Sequence, residues 1–128
     1  MSAAAPAIHR SLPAERESVT RKVEVHGAHS SIEMYVTVSF YEDGSVGEVF
    51  VKASKKGSTL NGFASAWARM VSVALHRGIP WSDIYDMFYA TRFDPSGATN
   101  SDLGNVHSAV DAIVRFVEKA RAERENRA

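Results

Sequence analysis

Three features of the chain predict an α+β fold. Apolar residues alternate with polar ones from Val23 to Ala53, the spacing changes to that of helices after Lys55-Lys56-Gly57, and the composition can fill one core. The chain has 128 residues, 45% of them hydrophobic, enough to bury a core without disulfides or metal staples. Strands first and helices after them predict a three-stranded antiparallel meander followed by three helices packed on one face of the sheet.

Residues 1–20 mix Ala, Pro, Ser and charges without a period and read as a flexible N-terminal arm. A single domain then spans 21–118. Val23 and Val25 alternate with Lys22, Glu24 and His26, and Ile32, Met34, Val36, Val38 and Phe40 alternate with Glu33, Tyr35, Thr37 and Ser39. Period two makes both segments half-buried strands. Asp43-Gly44 signals the turn into a third strand, whose buried face carries Val49, Val51 and Ala53.

Helical spacing then places Leu60, Phe63, Ala64, Trp67, Met70, Val71, Ala74 and Leu75 on the core stripe of a first helix. Ser58 or Thr59 caps its start, and Gly78 with Pro80 closes it. A second helix from Trp81 to Ala90 directs Ile84, Met87 and Phe88 inward, and Thr91 to Ser101 form a loop around Pro95 and Gly97. The last helix is predicted to begin at Ser101 or Asp102, with Leu103, Val106, Val110, Ile113 and Val117 on one stripe. Its polar end, residues 119–128, is expected to fray.

Fifteen basic residues balance fifteen acidic ones, so no global field draws the chain to nucleic acid or an anionic membrane. No apolar run approaches the length of a membrane span, and the expectation is a soluble, cytoplasmic protein. The cysteine count is zero, which removes the thiolates of most structural zinc sites, and the five histidines show no ligand spacing. No metal site and no catalytic residue is predicted. Glu48 has no partner acid or base in view, and Asp111 four residues before Arg115 reads as an ordinary helix ion pair.

Three places carry chemistry suited to binding. Lys55, Lys56, Gly57, Ser58 and Thr59 stand where a strand gives way to a helix, and free backbone N–H groups with two lysines there suit a phosphate or nucleotide. The same residues are also an ordinary turn and cap, and the P-loop frame is missing. Arg92 and Phe93 stand in the loop before Pro95 and Gly97, where Arg92 reads a phosphate or carboxylate and Phe93 stacks on a base; alternatively Phe93 plugs the core and Arg92 pairs with Asp111. Tyr35, Phe50 and Lys52 share the sheet face opposite Val36 and Val49, a surface suited to docking against another protein or to stacking single-stranded nucleic acid.

Several blocks in one order carry a family resemblance: Leu12-Pro13-Ala14-Glu15-Arg16-Glu17-Ser18-Val19-Thr20-Arg21-Lys22, Tyr41-Glu42-Asp43-Gly44-Ser45-Val46-Gly47-Glu48-Val49-Phe50, Gly57-Ser58-Thr59, Gly78-Ile79-Pro80, Arg92-Phe93-Asp94-Pro95-Ser96-Gly97, and Ser108-Ala109-Val110-Asp111-Ala112-Ile113-Val114-Arg115. From Leu12 to Phe116 the chain resembles the TSCPD domain, the C-terminal region of adenosylcobalamin-dependent (class II) ribonucleotide reductases. Reduction in that family uses a thiyl radical and a cysteine pair, so the resemblance implies a chain that does not catalyse alone, although its family is that of ribonucleoside-diphosphate reductases. Many such domains carry a cysteine cluster for metal, and this chain departs from that pattern.

The resemblance implies a stand-alone, non-catalytic accessory or regulatory module in deoxyribonucleotide synthesis. Its expected partner is a class II reductase catalytic chain, with adenosylcobalamin bound there and no cofactor on this chain. Self-association is compatible with the same docking face. The alternative is an independent module binding a nucleotide or single-stranded nucleic acid, although neutral charge gives nucleic acid little support.

Overall fold

The computed structural model describes residues 10–53 and 58–127. β1 (Ser18–His26), β2 (Ser31–Phe40) and β3 (Val46–Ala53) form the expected meander. β4 (Gly97–Thr99) and β5 (Asn105–Val106) extend it beyond β1, so the sheet has five strands in the order β3-β2-β1-β4-β5, every pairing antiparallel. The three-stranded expectation is thereby corrected. Among the described residues three helices, α1 (Thr59–His76), α2 (Trp81–Phe88) and α3 (Ala109–Arg127), complete the α+β fold. None of the described helices is long and apolar enough to cross a membrane.

The added strands are too short to show a period. Gly97 permits β4 to form, because a Cβ there would collide with the His26 carbonyl oxygen of β1. Asn100 then stands in for a further strand residue: its side-chain oxygen accepts from the Glu24 N–H at 2.9 Å and its amide donates to the Lys22 carbonyl at 3.1 Å. β1 begins at Ser18, ahead of the apolar alternation, because hydroxyl pairs join it to β2 there. Ser18 meets Ser39 and Thr20 meets Thr37, each at 2.8 Å.

The last helix begins at Ala109, and the expected start at Ser101 or Asp102 is corrected. Val106 is buried from β5, and Leu103 lies in the turn that Thr99 closes on the Gly104 carbonyl, 3.1 Å from its N–H and 2.8 Å from its hydroxyl. Ser108 caps the true start by accepting from the Asp111 N–H at 3.1 Å. Beyond the cap, Ala112, Ile113, Val114, Phe116 and Val117 press onto a sheet face built from Val23, Val25, Met34, Val36, Val38 and Val49. The polar end of α3 is engaged as well. Arg124 and Arg127 pair with Glu17, and Glu118 accepts from the Trp81 indole N–H at 3.1 Å.

α1 lies along the free edge of β3, and its polar side chains complete that edge. Asn61 accepts from the Ala53 N–H at 2.9 Å, and Ser65 donates to the Val51 carbonyl at 3.1 Å. The Ser72 hydroxyl accepts from the Val49 N–H and donates to the Val49 carbonyl, both at 2.9 Å. A bare edge would expose a row of backbone donors and acceptors, and a helix laid over it is one way to cover them. Turning the serines inward turns apolar residues outward. Ala68, Val71 and Leu75 are buried, but Phe63 and Met70 face solvent, as does Met87 of α2, and their expected core positions are corrected.

Candidate functional site

The face of the sheet opposite the helices carries the expected Tyr35, Phe50 and Lys52. Tyr35 stands between Lys22 and Lys52, Thr37 stands between Thr20 and Phe50, and both aromatic rings are exposed. The face is mixed in charge rather than basic. Lys22 contacts Glu33 at 3.0 Å and Glu24 at 4.0 Å, and Glu24 also meets His26 at 3.2 Å. Hydrogen bonding to Glu33 and its charge raise the Lys22 ammonium above its ordinary pKa. Glu24 and Glu33 are direct cross-strand neighbours, and Lys22 sits close enough to both to relieve their repulsion.

At the start of α1, Ser58 is the N-cap and accepts from the Asn61 N–H at 3.1 Å, and Thr59 is the first, exposed, helical residue. Lys55, Lys56 and Gly57 lie outside the described residues. Beside Ser58 runs an open groove of about 330 Å³ bordered by Glu24, His26, Glu33 and Leu60. The carboxylates on that wall would repel a phosphate placed in the groove.

Arg92 lies in the loop between α2 and β4, where its guanidinium meets His107 Nδ1 at 2.9 Å. It is therefore bonded to His107 rather than to Asp111. Phe93 is exposed and does not plug the core, while its N–H donates to the His107 carbonyl at 3.1 Å.

Asp111 is fully buried and organises this corner. One carboxylate oxygen accepts from the Ala90 N–H at 2.8 Å and from Arg115 Nε at 2.9 Å, and the other accepts from the His107 N–H at 2.8 Å. Burial pushes the carboxyl upward, but the His107, Arg115 and Ala90 donors outweigh it and hold the group below its ordinary pKa. Arg115 also stacks over Tyr89, 4.7 Å from the ring centre. The i, i+4 pair read from the sequence is present, and the carboxylate additionally ties the end of α2 to the start of α3. Ser108 with Asp111 three residues on has the spacing of a capping box, the signal by which the true helix start was legible.

No three of His, Cys, Asp and Glu among the described residues gather closely enough to hold a metal ion. The exposed aromatic face, the Arg92–His107 contact and the fully bonded Asp111 belong to one small α+β domain. The family to which it belongs is shown by comparison: the model of the TSCPD domain family matches residues 6–121, and the chain is a member of that family. Over 109 residues it is 39% identical to a vitamin B12-dependent ribonucleotide reductase of Streptantibioticus cattleyicolor, covering 84% of this chain and 18% of that protein. It is 37% identical over 107 residues to the corresponding reductase of Rhodopirellula baltica, covering 83% of this chain and 10% of that one. With the Bradyrhizobium diazoefficiens reductase it shares 33% identity over 106 residues, covering 81% of this chain and 8% of the relative. The chain thus corresponds to a small part of each relative. No solved structure matches it.

Proposed function

We propose that this domain is a non-catalytic accessory module that works with the catalytic chain of a vitamin B12-dependent ribonucleotide reductase in deoxyribonucleotide synthesis. The observation that carries the reading is a chain from the domain family of those reductases that contains no cysteine. Thiyl chemistry and the reducing thiols then fall to the partner. Adenosylcobalamin is assigned to the partner too, because the vitamin B12-dependent reductases that this chain resembles extend far beyond the part it matches. The contribution of this chain is docking, assembly or regulation of the catalytic chain. Co-expression with a reductase chain lacking its own TSCPD domain is expected to give a complex that survives purification; separate elution of the two chains would contradict the reading.

A second reading, binding of a nucleotide or single-stranded nucleic acid, draws on the exposure of Tyr35 and Phe50 on the uncovered sheet face. Replacing Lys55 and Lys56 together by Ala separates the two readings. Loss of nucleotide binding with reductase association unchanged would favour the second.

A further inference from the structure

The solvent side of α1 is apolar where a surface helix is ordinarily polar. Phe63 is 75% exposed, Met70 59% and Val73 51%, and Ala66 lies between them on the same stripe. The helix has no acidic residue, and its inward positions are already used, by Ala68, Val71 and Leu75 in the core and by Asn61, Ser65 and Ser72 on the edge of β3. The stripe is therefore not spare core. At its flank Trp67 packs edge-on against Phe88 of α2, and Met87, next along α2, is 70% exposed. Contiguous exposed apolar side chains with flexible methionines among them mark contact surfaces for other proteins.

Charge along α1 indicates the kind of partner, although Asp83 and Asp86, which form no ion pair with any described residue, lie beside Met87 at the α2 end of the patch. Arg10, Arg16, Arg21, Arg115, Arg121, Arg124 and Arg127 each pair with a carboxylate of this chain. Arg69, beside the stripe, and Arg77, at its end, form no ion pair with any described residue. A second copy is a poor occupant, because an antiparallel two-fold pairing of the stripes sets the Arg69 flank of one copy against that of the other, with no acid on either helix to relieve it.

We propose that the Phe63–Met70–Val73 stripe of α1 is a protein-docking surface that receives an apolar ridge rimmed by carboxylates, with Arg69 and Arg77 meeting that acidic rim. The partner that presents the ridge is the reductase catalytic chain, so the inference rests on the function proposed above and assigns its contact surface to α1 rather than to the sheet.

The test measures binding of the full chain, by titration calorimetry, to a vitamin B12-dependent reductase chain that lacks this domain. Three variants are compared with the wild type: Phe63→Ser with Met70→Ser, Arg69→Glu, and Tyr35→Ser with Phe50→Ser. Circular dichroism confirms that each is folded. Weakening by roughly tenfold or more for the first two, with the sheet variant unchanged, is expected. If the sheet variant loses binding and the α1 variants keep it, the α1 surface is overturned while the accessory role stands. If the wild type does not bind, the accessory role fails and the α1 assignment falls with it. Concentration-dependent dimerisation abolished by Phe63→Ser with Met70→Ser would give the stripe to a second copy and overturn the proposal.

Discussion

Two surfaces of this domain are left uncovered, and they differ in how their charges are arranged. On the outer sheet face Lys22 is matched to Glu33 and Glu24, and Glu48 is matched to Arg16 at 3.0 Å, while the exposed Lys52 forms no ion pair with any described residue. The α1 face bears Phe63, Met70 and Val73, with Arg69 at its flank and Arg77 at its end, neither paired with an acid among the described residues. A face that pairs most of its charges among themselves has less to gain from a partner than one whose cations are unpaired and whose apolar side chains are more exposed, as Phe63 and Met70 are relative to Tyr35 and Phe50. The proposed docking surface therefore rests on apolar exposure and charge together, rather than on exposed aromatic rings alone, as at Tyr35 and Phe50.

The comparison is calibrated first against the buried interior. Asp111→Ala removes the carboxylate that holds Arg115 and two backbone N–H groups, and it is expected to cost about 3–5 kcal/mol by urea denaturation. The same carboxylate sets an acid limit. Its pKa is lower folded than unfolded, so the stabilisation is full at neutral pH and is lost as pH falls from the ordinary Asp value of 3.8 toward the depressed one. The Asp111→Asn variant is expected to show a shallower loss of stability across that acid range; an unchanged profile would place the pH dependence elsewhere.

Ser72→Ala comes next. It strips the Val49 N–H and carbonyl of their partner at the buried edge of β3, with an expected cost of about 1–3 kcal/mol by thermal unfolding. On the outer sheet face, Tyr35→Ser with Phe50→Ser is expected to lose about 0.2–1 kcal/mol for each ring through cross-strand packing with Lys52 and Thr37. The smallest effect is expected on α1, where Phe63→Ser with Met70→Ser should stay within about 0.5 kcal/mol per site. A large loss there would mean that the stripe serves the fold rather than a partner, and the contrast between the two faces would collapse.

The same contrast explains what the sequence made legible. Strand periodicity has one solution, because side chains alternate strictly between faces, so Met34, Val36 and Val38 against Tyr35 and Thr37 could be read directly. Helical periodicity in α1 has two, since apolar residues occupy both the Val71 side and the Phe63–Met70 side. Only the bonds of Asn61, Ser65 and Ser72 to β3 decide which side turns inward. β4 and β5 escape any periodic reading because they are short and depend on Gly97 and Asn100 making contact with a strand far away in sequence. For the candidate site, the positions of Tyr35, Phe50 and Lys52 followed from alternation. The bond of Arg92 to His107 joins two loops that no local pattern relates.

The role proposed for this domain is service to a reductase catalytic chain. Its most direct test is size-exclusion chromatography with light scattering on the full chain mixed with a vitamin B12-dependent reductase chain lacking the domain. A single complex whose mass is the sum of the two chains is expected, and two separate peaks at micromolar concentrations of both would contradict that role.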